Sequence, residues 1–223
     1  MSDPDRALLE GWVGGDREAG NELVRRRIGE ITWFFRNKVC NESDVPDLVS
    51  QTFLGCLQGA EAFRGETSVR RYLYRVANNV LFGYIRKRGK RAREQLDFAT
   101  VCVHELDPSS PSSIVMRRRE GQAFVQSLRR IPVSDQVVLE LKYFDALSGR
   151  EIGEVLGIPE GTVRGRLQRG LARLRDEVQE QLRQHARVRG GDVSEVRAED
   201  LERWAQEVRE LRQAELAGRD QAG

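Results

Sequence analysis

The chain has 223 residues, of which 39% are hydrophobic and 32% charged, with a formal net charge of +2 and six prolines. That balance is too apolar for a disordered chain, fits two small domains or one medium one, and favours helices. Cys40, Cys56 and Cys102 are odd in number and widely spaced, which excludes a disulfide framework, and two histidines (His104 and His185) supply neither a zinc ligand set nor much acid–base chemistry.

Met1-Ser2-Asp3-Pro4-Asp5 is acidic and no apolar run follows it, so neither a signal peptide nor a membrane span is expected and the chain reads as cytoplasmic. Asp5 to Val13 predicts a short helix stopped by Gly14-Gly15. Asp16 can cap a longer helix to about Lys38, whose apolar positions Leu23, Ile28, Ile31, Phe34 and Phe35 recur at roughly helical spacing. Asp44 is expected to cap a third helix through Gln58, with Pro46 in its first turn, where a missing N–H is tolerated. A fourth helix is predicted from Ser68 to Arg88. From Glu94 to Val115 the periodicity fails, and Asp107 to Ser113 reads as a linker. Helices resume from Met116 to Ile131, from Ser134 to Tyr143, from Ser148 and from Pro159. After Gly190-Gly191 a last helix is predicted from Val193 to Ala217, with an apolar stripe of Val193, Val196, Leu201, Trp204, Val208 and Leu211 that calls for a packing surface.

The charge is segregated. From Arg64 to Arg93 there are ten basic side chains against Glu66 alone, whereas Glu195 to Glu215 holds seven acids and four bases. Clustered positive charge is the footprint of a nucleic-acid surface. Solvated arginine-rich helices are the plainer alternative.

Leu147 to Arg164 carries the clearest local signal. Ser148 with Glu151 makes a capping box, Gly157 suits a left-handed turn, and Pro159 pre-sets the next helix. Val163, Leu167, Leu171, Leu174 and Val178 form the buried stripe of that helix, and Thr162 to Arg175 holds five arginines and no acid. Helix, tight turn and second helix is the layout of a DNA reader. A surface hairpin without a ligand is the rival.

Leu147 to Arg175, with Ile131-Pro132 and Leu139 to Phe144, resembles region 4 of extracytoplasmic-function sigma factors. Asp44 to Phe53 resembles the polymerase-docking helix of region 2 in the same family, and Phe63 to Asn79 resembles its −10-reading loop and helix. The two stretches occur in the family's order. Ser50, Gln51, Tyr72, Asn78, Gly165 and Gln168 depart from the usual pattern, which bears on the promoter sequence rather than on the family.

The resemblance implies an all-α fold of two small helical domains joined by a flexible linker, with a C-terminal helical extension. Region 2 would occupy 1–93, the linker 94–115, region 4 116–186 and the extension 187–223. It implies a non-enzymatic factor without cofactor or metal, working with core RNA polymerase through the clamp and flap of its large subunits and with promoter DNA, duplex and single-stranded. It also admits an anti-sigma partner, with no membrane insertion. Asp44, Asp47, Leu48, Gln51 and Phe53 would contact polymerase. Phe63, Arg64 and the loop through Ser68 would trap a flipped −10 base, and Asn79 would help read it. Arg70, Arg71, Arg75, Arg86, Lys87 and Arg88 would hold phosphates, with Lys90, Arg91 and Arg93 alongside. Thr162, Arg164, Gly165, Arg166, Gln168, Arg169 and Arg173 would face the −35 duplex. The linker would thread the RNA exit channel, which its acids Glu94, Asp97, Glu105 and Asp107 suit.

Two other readings are open on the residues. A helix-turn-helix regulator acting on duplex DNA without a sigma role leaves the 44–93 stretch unexplained. A protein-binding regulator without DNA specificity leaves the acid-free face of 162–175 unexplained. An enzyme is disfavoured, since no paired-carboxylate, nucleophile–His or phosphate-cradling glycine motif is present.

Overall fold

A computed structural model describes residues 3–60, 63, 67–89, 97, 100–106, 112, 114–189 and 194–220. The described elements are helices, in the order α1 (Arg6–Val13), α2 (Arg17–Arg36), α3 (Val45–Gln58), α4 (Val69–Gly89), α5 (Val103–Leu106), α6 (Arg119–Leu128), α7 (Val133–Tyr143), α8 (Gly149–Leu156), α9 (Glu160–Arg189) and α10 (Ala198–Asp220). A 3₁₀ turn, Glu42–Asp44, leads into α3. An isolated antiparallel bridge joins Cys102 to Pro132. Among the described residues no helix is long and apolar enough to cross a membrane.

Local chemistry sets the starts of these helices. Asp16 is extended and its carboxylate accepts from the amides of Glu18 at 2.9 Å and Ala19 at 3.2 Å, so it caps α2 as its sequence position predicts. The α1–α2 hairpin then closes tightly: a Cβ on Gly20 would lie 2.5 Å from the Trp12 ring, so only glycine fits there. Asp44 behaves differently from its expected role. It lies in helical backbone at the end of the 3₁₀ turn and makes no capping bond to α3. A cap needs an extended residue. Asn41 caps the preceding 3₁₀ turn, accepting from the Ser43 amide at 3.1 Å.

Helices α1–α4 enclose Leu9, Leu23, Phe35, Leu48, Phe53 and Leu81, while α6–α9 enclose Phe124, Leu128, Leu139, Leu174 and Val178. The two halves do not stand apart on a tether. Val137, Val138, Leu141, Ile152 and Val155 belong to the same buried cluster as Leu73, Tyr74 and Leu81, so one core runs through both. Between them lies a buried polar knot. Lys38 is 1% and Glu140 4% exposed, and the two form an ion pair. Gln136 donates to Glu140 at 2.8 Å, and Arg129 donates to the carbonyls of Asn37 at 3.2 Å and Val39 at 3.0 Å.

The segment expected as a free tether is docked where it is described. Val101, Cys102, Val103 and Ile114 are buried, the Val133 amide donates to the Val101 carbonyl at 3.0 Å, and Ser112 donates to Asn37 at 2.7 Å. These apolar residues flank the Ser/Pro stretch, and burying them outweighs the freedom of a tether. Residues 107–111 and 113, with Glu94, lie outside the described residues. Helix α9 runs unbroken to Arg189, through the expected boundary at 186/187. The stripe of the last helix is packed: Val196, Leu201, Trp204 and Val208 join Phe124, Leu128, Val178 and Trp33 in a second buried cluster. Val193 lies outside the described residues.

Candidate nucleic-acid interface

The helix-turn-helix is built as its residues predict. The Ser148 hydroxyl accepts from the Glu151 amide at 3.3 Å, and the Glu151 carboxylate accepts from the Ser148 amide at 2.9 Å. Those Ser148 bonds, and then Arg71, hold the Glu151 carboxyl below the usual carboxylate range. Gly157 adopts φ 67°, the left-handed conformation that ends α8. Replacing Ser148 with alanine should therefore cost about 1 kcal/mol of stability, measured by urea unfolding, since the cap is the only part removed.

On α9, Val163, Leu174 and Val178 face inward, while Thr162, Arg164, Gln168 and Arg169 are exposed; Gly165 and Arg166 are half-buried. Arg173, expected as a phosphate contact, is engaged within the protein. It pairs with the buried Asp135 on α7 at 2.6 Å, so it fastens α9 to the domain. The exposed polar residues of this part of α9 are Thr162, Arg164, Gln168 and Arg169.

The basic helix α4 divides into two parts. Arg86, Lys87 and Arg88 are exposed, with Arg88 2.8 Å from Asp44. Arg70, Arg71 and Arg75, expected to hold phosphates, meet acceptors of the protein in this conformation. Arg70 pairs with Glu30 at 2.9 Å and Asp145 at 3.3 Å, and Arg71 pairs with Glu151 at 2.8 Å and Glu154 at 3.5 Å. Arg75 donates through Nε to the Glu154 carbonyl at 3.2 Å. Tyr74 is buried and hydrogen-bonded to Asp145, and burial pushes its phenol up. Beside them Phe63 is half-buried and stacks on Tyr72, with centroids 4.8 Å apart and planes at 22°. Asn79 is exposed, while its neighbour Asn78 is buried with a side-chain oxygen that meets no hydrogen-bond partner among the described residues. Ser68 accepts from the Arg71 amide at 3.3 Å, which makes it a cap for α4. Arg64, Lys90, Arg91 and Arg93 lie outside the described residues.

The outer face of α3 presents Asp47, Ser50, Gln51 and Leu54, with Gln51 donating to Asp47 at 2.6 Å and Leu54 53% exposed. Leu48 and Phe53, expected to touch a partner, are core residues instead. Helical spacing puts them on the opposite face, which is buried in the shared core. Asp44 accepts from the Tyr84 hydroxyl at 2.8 Å as well as from Arg88. The residues that sequence reasoning missed are Glu30, Asp145, Glu151 and Glu154 as partners of the α4 arginines, and Leu54 as the exposed apolar position of α3. An acid-free basic helix in a compact chain signals that some acids must face it, but not which ones.

Comparison with known proteins agrees with this arrangement. Residues 23–91 match the family model described as sigma-70 region 2, and residues 121–174 match that of sigma-70 region 4. The chain is 27% identical over 181 residues to an ECF RNA polymerase sigma-E factor of Haemophilus influenzae, covering 78% of this chain and 95% of that protein. It is 28% identical over 187 residues to the protein of the same name from Escherichia coli K12, covering 80% and 96%. Among solved structures, CnrH in complex with the cytosolic domain of CnrY matches with a TM-score of 0.54 at 22% identity, over 76% of this chain and 94% of that one. The sigma factor RpoE in complex with the anti-sigma factor NepR, from Bartonella quintana, matches with a TM-score of 0.55 at 15% identity, over 71% and 95%. At those identities the structural matches speak to the fold.

Proposed function

The chain belongs to the extracytoplasmic-function group of the sigma-70 family and directs promoter-specific transcription initiation, and from that premise we propose how its residues divide the work. Region 2 occupies 1–93, the linker 94–115, region 4 116–186 and the extension 187–223. Asp47, Gln51 and the exposed Leu54 dock α3 on the clamp of core RNA polymerase, and region 4 meets the flap. Arg164, Gln168 and Arg169, with Thr162 alongside, read the −35 duplex from α9; arginine can grip phosphate or pair with guanine through two hydrogen bonds.

Phe63 and Asn79 hold a −10 base once it leaves the stack. An aromatic face supplies stacking and an exposed amide supplies edge hydrogen bonds. Arg70, Arg71, Arg75, Arg86, Lys87 and Arg88 grip the phosphates around the melted strand, which adds salt-dependent affinity without sequence information. The factor acts in the cytoplasm and does no bond-making chemistry of its own. An anti-sigma protein is a further partner on this reading, since both solved relatives are held in complexes, one of them with a named anti-sigma factor.

The observation that carries this reading is the pairing in one chain of an acid-free exposed face on α9 with a basic helix, α4, on whose Tyr72 the Phe63 ring stacks. Permanganate footprinting tests it, with purified core polymerase and DNA from upstream of the protein's own gene. Unpaired thymines should appear near the start site only when core and this protein are both present. Phe63→Ala or Asn79→Ala should cut the signal severalfold or more, because stacking on one base contributes about 1–3 kcal/mol. Tight duplex binding with no core association and no melting would return the protein to the ordinary helix-turn-helix regulators.

A further inference from the structure

Helix α10 touches both halves of the molecule. Its first turns lie on region 4, where Leu201, Trp204 and Val208 are buried with Phe124 and Val178. Its later turns reach region 2. The Glu215 carboxylate accepts from the Trp33 indole N–H at 3.2 Å and from Arg36 at 2.5 Å, and Leu216 lies so near Gly29 that a Cβ there would come within 2.4 Å.

Between these ends sits Arg212, a charged residue only 5% exposed. It pairs with Asp145 at 2.6 Å and donates to the Phe144 carbonyl at 3.0 Å and to the Tyr74 hydroxyl at 2.9 Å. Asp145 in turn engages Arg70 and Tyr74 of α4. One side chain of the extension therefore ties the end of α7 to the helix assigned to the −10 strand. In the same arrangement Arg70, Arg71 and Arg75 are occupied by Glu30, Asp145, Glu151 and Glu154. Thr162, Arg164, Gln168 and Arg169 stay exposed.

We propose that α10 is an intramolecular latch that closes region 2 onto region 4, masking Arg70, Arg71 and Arg75 of α4 while leaving the duplex-reading face of α9 open. This inference rests on the division of labour proposed above. The acids on α8 and at the end of α7 stand where DNA phosphates would stand, so strand binding and latching compete for the same guanidinium groups. The seam joins these ion pairs to the shared apolar cluster of Val137, Val138 and Leu141, so opening has a cost that strand contacts must offset. A chain that is closed nine times in ten binds a strand tenfold more weakly than its open form.

The test uses the full chain without polymerase, in three variants. Arg212→Ala removes the central tie. Glu215→Lys, near the surface, places a like charge beside Arg36 and leaves the buried cluster intact. Glu154→Arg repels Arg71 and opens the seam without touching α10. Small-angle scattering reports compactness, and fluorescence anisotropy reports affinity for a labelled single strand of mixed sequence. All three variants should expand and bind the strand about tenfold more tightly, with helicity by circular dichroism unchanged in Glu215→Lys. Expansion with Glu154→Arg but none with Glu215→Lys would overturn the latch. So would unchanged strand affinity in an expanded Glu215→Lys chain. Failure of the wild-type chain to open promoters with core enzyme would instead count against the sigma assignments, and the scattering result would stand apart from it.

Discussion

Replacing Glu140 with alanine is expected to destabilise the protein by about 3–5 kcal/mol, because it strands the Lys38 ammonium in the interior. Lys38 has two acceptors, the Glu140 carboxylate and the carbonyl of Phe34, and both it and Glu140 are almost wholly buried. Removing the carboxylate leaves a positive charge with one neutral partner. It also takes an acceptor from Gln136, which donates to Glu140 at 2.8 Å. A domain is usually stable by only about 5–15 kcal/mol, so this single change consumes a large share. In urea unfolding the midpoint should fall by roughly 1 M or more, given slopes of about 1–3 kcal/mol per molar. The double variant Lys38→Met with Glu140→Leu should lose less than Glu140→Ala alone, since replacing both members with apolar side chains leaves no buried charge. Equal losses in the two would mean that the ion pair is not what holds the seam.

Neutralising Arg164 and Arg169 together is expected to weaken duplex binding by about 2–6 kcal/mol, about thirtyfold at the least, if each makes a base contact worth roughly 1–3 kcal/mol. Both are exposed on the acid-free stretch of α9, and among the described residues no acid pairs with them as Glu151 and Glu154 pair with Arg71. Anisotropy titrations on duplex from the protein's own promoter, repeated at several salt concentrations, separate the two possible roles. A lost base contact relaxes sequence preference, whereas a lost phosphate contact lowers the salt slope by about one per site. Arg173→Ala is the internal control. Its guanidinium is committed to Asp135, so it should lower stability and leave the affinity of the folded protein nearly unchanged. If Arg164→Ala with Arg169→Ala bound duplex like the wild type, α9 would not be the reading helix.

The local features were legible in the residues because they depend on neighbours a few positions apart. Asp16 caps α2, Ser148 and Glu151 close their box, and Gly157 turns left-handed, all as their spacing predicts. The apolar stripe of α9 was equally readable, since a period of 3.6 puts its side chains on one face: Val163, Leu174 and Val178 are buried, and Leu167 and Leu171 half-buried. Where local reading went wrong, a neighbouring element intervened. Asp44 looked like a cap until a 3₁₀ turn placed it in helical backbone, and Leu48 and Phe53 looked like docking residues until packing buried them in the shared core.

By itself, then, the sequence determined an all-helical chain with a region 2 half, a region 4 half and an amphipathic extension, along with the acid-free character of the exposed face of α9. Only the tertiary structure decided that the halves share a core, that the linker's described ends are buried, and that Arg71 meets Glu151 across 80 positions of chain. The physical reason is one of range. Helix periodicity and capping are settled within a turn or two, whereas the choice of which acid faces which base is made when distant apolar faces pack, and many pairings satisfy the same charge pattern until that packing selects one.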